Sequence, residues 1–346
     1  MIKVGICGFG YWGPTLARIF STNPGFKVTA VADKQPAAQT TVQARHPGVT
    51  IYDSAEGLID LADVDLVVIA TPVSTHCALA LRALKKSKHV LIEKPMCTTA
   101  EEGRELMAVA ARMKRILMID HTYVFHPAVR KLRELKASGA LGEITYFDSL
   151  RVNLGLFQPD MNVLWDLAPH DFSIMGYIFD EQPVYVEATG YCHVNANLPD
   201  IAYVTLHYAS RIIAHLNLSW MSPVKARRIA IGGSRQMAIW NDLDPDEKLK
   251  IYDSGIEFHS EEERKVFVPG YRIGNIYSPR LPGGEALSAM AEHLRRGILG
   301  EEKIITDGAA GLRVVDLLEQ SQRALNASLG KVEHLKLNEA ATGPAQ

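Results

Sequence analysis

The sequence predicts a doubly wound, parallel α/β domain followed by an α+β domain with a large, mainly antiparallel sheet. Three observations support this fold class. Strand-like and helix-like segments alternate over residues 1–120, as in a parallel sheet covered by helices. Residues 121–346 carry many successive strand-like segments with short polar connections. The chain has 346 residues, which is long for one hydrophobic core, so we expect two domains, at residues 1–120 and 121–346.

Each apolar run of the first domain is followed by a helical pattern. The predicted strands are 2–7, 27–32, 49–52, 65–70, 89–92 and 116–119. The predicted helices are 14–20, 36–45, 54–60, 75–85 and 99–113. The segment DLVVIA at 65–70 is apolar after its first residue, as expected for a strand that is covered on both faces.

The second domain has fewer helices and many strands. Helical patterns occupy 126–137 and a stretch near 169–179. The predicted strands are 144–152, 184–193, 202–208, 212–220, 226–231, 237–240 and 249–252. Two further helical patterns, at 285–298 and 309–329, end the domain.

The composition is that of an ordinary globular protein, with 47% hydrophobic and 22% charged residues and a formal net charge of −2. No basic cluster is present, which argues against nucleic acid or a membrane as partner. The four cysteines form no CxxC pair, so we expect no disulfide framework and no metal site. No apolar run reaches the roughly 20 residues that span a bilayer, and no signal peptide precedes the first strand. These features predict a soluble, cytoplasmic protein.

A glycine-rich turn follows the first strand in the pattern GxGxxG. Its residues are Gly8, Phe9, Gly10, Tyr11, Trp12 and Gly13. Between a strand and a helix, this pattern lets the backbone approach a pyrophosphate at the helix N-terminus. Asp33 ends the second strand, where its carboxylate can bind ribose hydroxyls and would repel a 2′-phosphate. The sequence therefore favours NAD over NADP as cofactor, although Lys34 weakens this preference and the turn alone also fits FAD.

Ligands of open α/β sheets bind beyond the carboxyl ends of the strands, which makes the residues after each strand candidates. The candidates after the fourth and fifth strands are Thr71, Pro72, His76, Glu93 and Lys94. A Glu–Lys pair that faces a nucleotide from a strand end is a candidate catalytic pair, and a loop ion pair is the alternative.

Asp166 and His170 lie four residues apart in a helical pattern of the second domain. On one helical face, the carboxylate can orient the imidazole and stabilise its cation. Pro169 restricts this interpretation, because proline is tolerated only in the first helical turn. With Asp166 as the N-cap, proline would stand at the third position and the pair could still meet. The alternative is a helix cap beside a buried, satisfied histidine.

Taken together, these motifs resemble those of the glucose-fructose oxidoreductase/inositol dehydrogenase/MocA family over essentially the whole chain. The motifs occur here in the same order as in that family, namely GxGxxG, Asp33, the segment ATPVSTH at 70–76, Glu93-Lys94-Pro95 and Asp166-xxx-His170. The resemblance implies a Rossmann domain and an open-faced sheet that binds substrate on one side. It also implies a homodimer or homotetramer formed through the other side of that sheet. Lys94 and His170 would be the catalytic groups, with Asp166 assisting.

Two positions depart from the family's pattern. Met161-Asn162 stands where a glycine pair often precedes the Asp-xxx-His helix, and Asp120 stands where a glycine often precedes the position of His121. These departures leave the shape of the substrate pocket open. The candidate substrate-binding residues are Lys94, His121, Tyr123, Arg151, Asn153, Asp166 and His170. Further candidates for a diphosphate or sugar contact are Lys225, Arg227, Arg228 and Arg235.

The stretches GYWGP and LWDLAPHD resemble members that act on nucleotide-linked sugars. We therefore expect hydride transfer between NAD and a sugar hydroxyl or keto carbon, with a UDP- or dTDP-linked sugar as substrate. His170 would act as general base, Asp166 would orient it, and Lys94 would stabilise alkoxide charge. Two alternatives stay open, a dehydrogenase of inositols or free sugars and a non-catalytic sensor that binds NAD and a sugar. A metal hydrolase that uses His121, His126, Asp166 and His170 is poorly supported, because no HExxH-like or Cys/His ligand pattern is present.

Overall fold

The computed structural model describes residues 1–155, 157, 161–257 and 270–341. The chain forms two compact units, one of Met1–His126 with Gly283–Leu317 and the other of Pro127–Pro282 with the residues from Leu318 onward. Each unit has its own sheet, of six strands in the first and eight in the second. In the described part of the chain, no helix is both long and apolar enough to cross a membrane.

The first unit contains a parallel six-stranded sheet. Its strands are β1 (Ile2–Cys7), β2 (Phe26–Ala32), β3 (Thr50–Tyr52), β4 (Leu66–Ile69), β5 (His89–Ile92) and β6 (Leu117–Ile119). The helices between them are α1 (Gly13–Thr22), α2 (Pro36–Arg45), α3 (Ala55–Leu61), α4 (His76–Lys85) and α5 (Ala100–Met113). The strand order is β3-β2-β1-β4-β5-β6, and every pair is parallel. This confirms the predicted doubly wound sheet.

Local chemistry explains where these elements begin. All four residues of β4 are fully buried, as its continuous apolar run predicts. Ser54 caps α3 by accepting a hydrogen bond from the Gly57 amide, and Thr99 with Glu102 forms a capping box at α5. The strand order reverses at β1, so the loops after β1 and β4 diverge and leave a crevice at the carboxyl ends of the strands.

The second unit contains a mainly antiparallel eight-stranded sheet. Its strands are β7 (Ile144–Leu154), β8 (Pro183–Tyr191), β9 (Ile201–Tyr208), β10 (Ile213–Ser219), β11 (Met221–Gly233), β12 (Met237–Asn241), β13 (Leu249–Glu257) and β14 (Gly270–Tyr277). The order is β14-β13-β12-β11-β7-β10-β9-β8, in which only the β7–β10 pair is parallel. Its first helices are α6 (Pro127–Ala137) and α7 (Val163–Ile178).

The eight-stranded sheet is covered on one face and open on the other. Helix α7 packs on β9 and β10, where Val204 and Leu216 are fully buried. On the opposite face Tyr203 and Ile213 remain 39% and 45% exposed. This alternation confirms the open-faced sheet that the family resemblance implied.

The chain ends in helices α8 (Ala286–Ile298) and α9 (Gly308–Ala341). The sequence placed everything after residue 120 in the second domain, but the structure assigns Gly283–Leu317 to the first unit. Arg18 of α1 pairs with Glu285 at 2.6 Å, and Val315 lies fully buried in the core of the six-stranded sheet. These contacts join residues that are far apart in sequence, so a local pattern cannot show them.

Several elements differ from their predicted bounds, and three of them are instructive. Helix α7 begins at Val163 instead of residue 169, because Asn162 caps it by accepting a hydrogen bond from the Trp165 amide at 3.2 Å. Strand β11 spans 13 residues and is longer than expected. Strand β14 was not predicted, because its sequence GYRIGNIY contains two glycines and its side chains are mostly exposed.

Candidate active site

The glycine-rich turn between β1 and α1 leaves its backbone accessible to a ligand. Gly8 has a φ of +92°, and a Cβ atom there would lie 2.5 Å from the Ala70 carbonyl oxygen. A Cβ atom at Gly13 would lie 2.5 Å from the Gly8 carbonyl oxygen, so glycine lets α1 start close to the turn. No described atom lies within 4 Å of the Cβ position of Gly10. The three glycines thus provide the tight turn, the close helix packing and the open approach that a pyrophosphate requires.

The other residues of the turn differ in exposure. Phe9 is buried, whereas Tyr11 and Trp12 are exposed and pack edge to face with their ring centroids 5.4 Å apart. Among the described residues, no side chain caps α1, and Pro14 stands in its first turn. A helix N-terminus of this kind can bind a phosphate through its backbone amides.

Asp33 lies at the carboxyl end of β2, beside the turn. Its Oδ2 accepts a hydrogen bond from the Phe9 amide at 2.6 Å, and its Oδ1 accepts one from the Gln35 amide at 2.8 Å. These bonds hold the carboxylate at the edge of the crevice, where the acidic residue of dinucleotide-binding folds meets the ribose. The neighbouring Lys34 side chain is exposed.

A cavity of about 410 Å³ adjoins the turn and the ends of β2, β3 and β4. The predicted residues that line it are Gly8, Gly10, Asp33, Lys34, Thr71 and Pro72. The sequence analysis missed further polar lining residues, namely Gln35, Asp53, Ser54, Glu56 and Thr75. Asp53 directly follows β3, so the rule of strand ends could have found it. Three carboxylates around the cavity suit ribose hydroxyls better than a 2′-phosphate, and the site fits NAD.

His76 connects two loops of the crevice. The ring is buried, with Nδ1 2.9 Å from the Pro95 carbonyl oxygen and Nε2 2.8 Å from the Thr71 carbonyl oxygen. Burial lowers the pKa of His76, although both carbonyl contacts act in the opposite direction. Both ring nitrogens therefore face protein carbonyls, and the structure places this predicted cofactor-binding residue as a support for the loops.

Lys94 lies beside two buried carboxyl groups. Glu93 and Lys94 follow β5, and Asp120 follows the neighbouring strand β6. Burial raises the pKa of Glu93, and the nearby Asp120 raises it further, while the Lys94 cation opposes the shift. Burial also raises the pKa of Asp120, to about 6. The arrangement brings one ammonium group against two carboxyl groups that cannot easily both ionise. The Lys94–Pro95 peptide bond is cis.

His121 follows Asp120 and is buried in the same cluster. Neither ring nitrogen has a hydrogen-bond partner among the residues that the structure describes. Burial lowers the pKa of His121 to about 3, and the Lys94 and Arg313 cations act in the same direction. A buried, neutral imidazole without a partner can donate to or accept from a ligand. Tyr123 lies half-buried in the short 3-10 turn Thr122–Phe125 that follows.

Asp166 and His170 both belong to α7 and are half-buried. Asp166 is not the N-cap that the sequence suggested, since Asn162 has that position and Pro169 lies inside the helix. The Asp166 Oδ2 accepts a hydrogen bond from the Trp220 indole at 3.2 Å, which orients the carboxylate. The i, i+4 spacing in one continuous helix places Asp166 and His170 on the same face.

Arg151 lies on β7 and is 4% exposed. Its Nε and Nη2 donate to the two oxygens of Asp171 at 2.9 and 3.0 Å, and Ser149 donates to the same carboxylate. The guanidinium expected to contact substrate is thus engaged in a buried, bidentate ion pair. The sequence analysis missed Asp171, which lies beside the predicted His170. Asn153, two residues after Arg151, is half-buried.

The other basic candidates lie on or beside β11. Lys225, Arg228 and Arg235 are exposed, and Arg227 lies 3.5 Å from the carboxylate of Asp242. Among the described residues, no group of three or more His, Cys, Asp or Glu side chains could hold a metal ion.

Two sequence models of one family match the chain. The oxidoreductase family with an NAD-binding Rossmann fold, GFO_IDH_MocA, matches residues 2–121. The GFO/IDH/MocA C-terminal domain matches residues 129–239. Together the two matches cover well over half of the chain and include most of the predicted site residues.

Individual relatives agree with this result. UDP-N-acetylglucosamine 3-dehydrogenase from Acidithiobacillus ferrooxidans is 28% identical over 95% of this chain and 98% of that enzyme. A solved structure of that enzyme superimposes with a TM-score of 0.80 at 27% identity, over 95% of this chain and 99% of that chain. Inositol 2-dehydrogenase from Rhizobium meliloti is 30% identical over 54% of this chain and 58% of that enzyme.

The sheet order, the glycine turn and the family matches lead to one conclusion. The first unit is an NAD-binding Rossmann domain, and NAD is the cofactor. The chain is an enzyme, a dehydrogenase of the class that acts on CH–OH groups. It belongs to the GFO/IDH/MocA family of oxidoreductases.

Proposed function

We propose that this enzyme transfers hydride reversibly between NAD and a carbinol carbon of a nucleotide-linked sugar, such as a UDP- or dTDP-sugar. The observation that carries the proposal is the similarity to UDP-N-acetylglucosamine 3-dehydrogenase, which extends over 95% of this chain and 98% of that enzyme. The match to inositol 2-dehydrogenase covers only 54% of this chain. The similarity to the nucleotide-sugar enzyme continues through the second unit, which carries the proposed base.

NAD supplies, when bound, a nicotinamide ring that can accept or give a hydride. The backbone of the turn from Gly8 to Gly13 would hold its pyrophosphate, and Asp33 would hold a ribose. Thr71 and Pro72 line the same cavity and would contact the cofactor from the loop after β4. The exposed rings of Tyr11 and Trp12 would cover the phosphates from solvent.

In this mechanism Lys94 donates a hydrogen bond to the reacting substrate oxygen. Its ammonium group would stabilise the alkoxide charge that develops as the hydroxyl proton leaves. Glu93 and Asp120 lie next to the ammonium and provide its counter-charge. His121 would bind a further substrate group through its ring nitrogens, which have no partner among the described residues. Tyr123 and Asn153 would complete the substrate contacts.

His170 takes the hydroxyl proton as general base, since an imidazole titrates near working pH. Asp166 would orient the ring and stabilise the imidazolium cation that forms. The Trp220 indole holds the Asp166 carboxylate in place. In the reverse direction, the imidazolium returns the proton to the substrate oxygen.

The experiment is a turnover assay of the purified protein with NAD and NADP in parallel. The substrates are UDP-N-acetylglucosamine, a dTDP-hexose, glucose and myo-inositol. Reduction of NAD with a nucleotide-linked sugar alone is the expected result. Turnover of myo-inositol or glucose alone would select the free-polyol enzyme. NAD binding measured by calorimetry, without turnover of any substrate, would select the sensor.

We further propose that copies of the chain associate through the open face of the eight-stranded sheet. Tyr185, Tyr203 and Ile213 are exposed on this face, and such apolar residues favour association. Light scattering coupled to size exclusion should give a dimer or tetramer, and Ile213→Glu should shift the mass toward the monomer.

A further inference from the structure

Two buried carboxyl groups follow adjacent strands at matching positions. Ile92 of β5 pairs with Ile119 of β6, so the next residues, Glu93 and Asp120, stand side by side. The Asp120 amide donates to the Ile92 carbonyl oxygen at 2.8 Å, which continues the ladder to this point. The carboxyl positions are therefore set by the sheet and not by a mobile loop.

Both carboxyl groups are removed from solvent, with Glu93 8% and Asp120 3% exposed. The Lys94 amide donates to Glu93 Oε2 at 3.2 Å, and the Thr122 hydroxyl donates to Asp120 Oδ1 at 2.5 Å. Two carboxylates this close in a buried site repel each other, so the site favours one proton shared between them.

The charged and titratable groups around the pair come from three elements. Lys94 follows β5, His121 follows β6, and Arg313 lies on α9. The pKa values of both carboxyl groups are raised by burial, and the Lys94 cation limits the rise. His121 stays neutral in this environment, because its pKa is lowered to about 3. The Lys94 ammonium group thus lies beside a carboxyl pair whose single negative charge can balance its positive charge.

We propose that Glu93 and Asp120 act as one unit that holds a single proton and a single negative charge, and that this unit positions the Lys94 ammonium group for the reaction. The proposal rests on the proposed function of Lys94. Asp120 is a positioning residue that acts through the pair.

The first test is infrared spectroscopy at pH 7.5 on the wild type, Asp120→Asn and Glu93→Gln. The wild type should show the carbonyl band of one protonated, buried carboxylic acid. Both variants should weaken this band or shift its position, because the remaining carboxyl group no longer shares a proton with a neighbour, while burial still raises its pKa. A band of unchanged position and intensity in Asp120→Asn, or its absence from the wild type, would overturn the shared proton.

The second test is the pH profile of kcat for these variants and for the double variant. Either single variant keeps one carboxylate near Lys94, and we expect kcat to fall about tenfold. The double variant removes both carboxyl groups beside Lys94, and kcat should fall more than about 1,000-fold, beyond the product of the single losses. Its activity should also be lost at a pH at least one unit lower than in the wild type, because the site has lost the negative charge of the pair.

Two results separate this inference from the proposed function. Losses in the double variant that only equal the product of the single losses, with no shift in pH, would overturn the positioning role. Full activity of Lys94→Met would instead overturn the proposed role of Lys94. The infrared bands do not depend on turnover and decide the shared proton in either case.

Discussion

The Phe9 amide donates a hydrogen bond to Asp33 Oδ2 at 2.6 Å, which ties the end of β2 to the glycine-rich turn. The other oxygen of Asp33 accepts from the Gln35 amide. One carboxylate therefore shapes the turn and also presents its charge to the cavity. Substitution at this position should affect both the binding of NAD and the discrimination against NADP.

Asp33→Ser should weaken NAD binding at least about tenfold, because it removes a charged acceptor for the ribose. The preference for NAD over NADP should fall by a similar factor, because the repulsion of a 2′-phosphate is lost. Calorimetric titration with both cofactors checks this. Asp63→Asn, at an exposed position paired with Lys3, is the matched control and should leave both affinities unchanged.

Gly8→Ala should lower the stability of the fold, whereas Gly10→Ala should weaken NAD binding. The Cβ atom of alanine at position 8 would clash with the Ala70 carbonyl oxygen, and its backbone would have to adopt a positive φ. We therefore expect Tm to fall by at least about 4 °C. Alanine at Gly10 meets no described atom within 4 Å, so Tm should stay constant while the Kd of NAD rises at least about tenfold. Thermal unfolding with and without NAD separates the two effects. Equal loss of Tm in both variants would contradict this assignment.

Lys94→Met should lower kcat by about 10²- to 10⁴-fold, because the developing alkoxide loses its donor. NAD binding should change less than about threefold, since the glycine turn and Asp33 remain. Steady-state kinetics and calorimetry measure the two quantities. Lys27→Met, on the exposed side of β2, is the control and should behave like the wild type.

His170→Ala should lower kcat by about 10²- to 10⁴-fold through loss of the general base. Asp166→Asn should have a smaller effect of the same kind, because it acts through the orientation and charge of the imidazole. Asp180→Asn makes the same chemical change just after the other end of α7, at an exposed carboxylate paired with Lys136, and should be neutral. Near-normal turnover of His170→Ala would refute the assignment of the base.

Asp120 should make stability depend on pH in an unusual direction. Its pKa is raised from 3.8 to about 6 in the folded chain, so the folded state holds the proton longer than the unfolded state. Stability from this group is present below pH 3.8 and is lost as the pH rises toward 6. Asp120→Asn removes this loss. The Tm of the variant minus the Tm of the wild type should therefore be about 4–8 °C more positive at pH 7.5 than at pH 4.5.

The control for this measurement is Asp246→Asn, at an exposed loop position. Its Tm relative to the wild type should not change between the two pH values. A Tm difference for Asp120→Asn that is the same at both pH values would show that Asp120 titrates normally in the folded chain.

Local patterns were sufficient for most of the first unit. The bounds of β1, α2 and β5 match the predicted ranges, because apolar runs and proline or glycine mark their ends. The glycine turn and Asp33 could be assigned together for the same reason, since both lie within one β-α-β segment. Helix α7 shows where local reasoning fails, because Asn162 was not recognised as its cap.

Contacts between residues that are far apart in the sequence could not be predicted from local patterns. Arg151 could be singled out as a cation, but its buried partner Asp171 comes from a helix and lies 20 positions away. The contact between Glu93 and Asp120 depends on the register of β5 and β6, which the sequence does not contain. Both cases involve buried charges whose partners are set by packing.

The ring of His76 contacts the Thr71 carbonyl oxygen in the loop after β4 and the Pro95 carbonyl oxygen in the loop after β5, and so links the two loops. One loop carries Thr71 at the cofactor cavity, and the other carries Lys94. If Lys94 has the proposed role, its backbone is held next to Pro95, a contact of His76, before NAD binds. The entropy of ordering that segment is lost once, when the chain folds, and not again in every catalytic cycle.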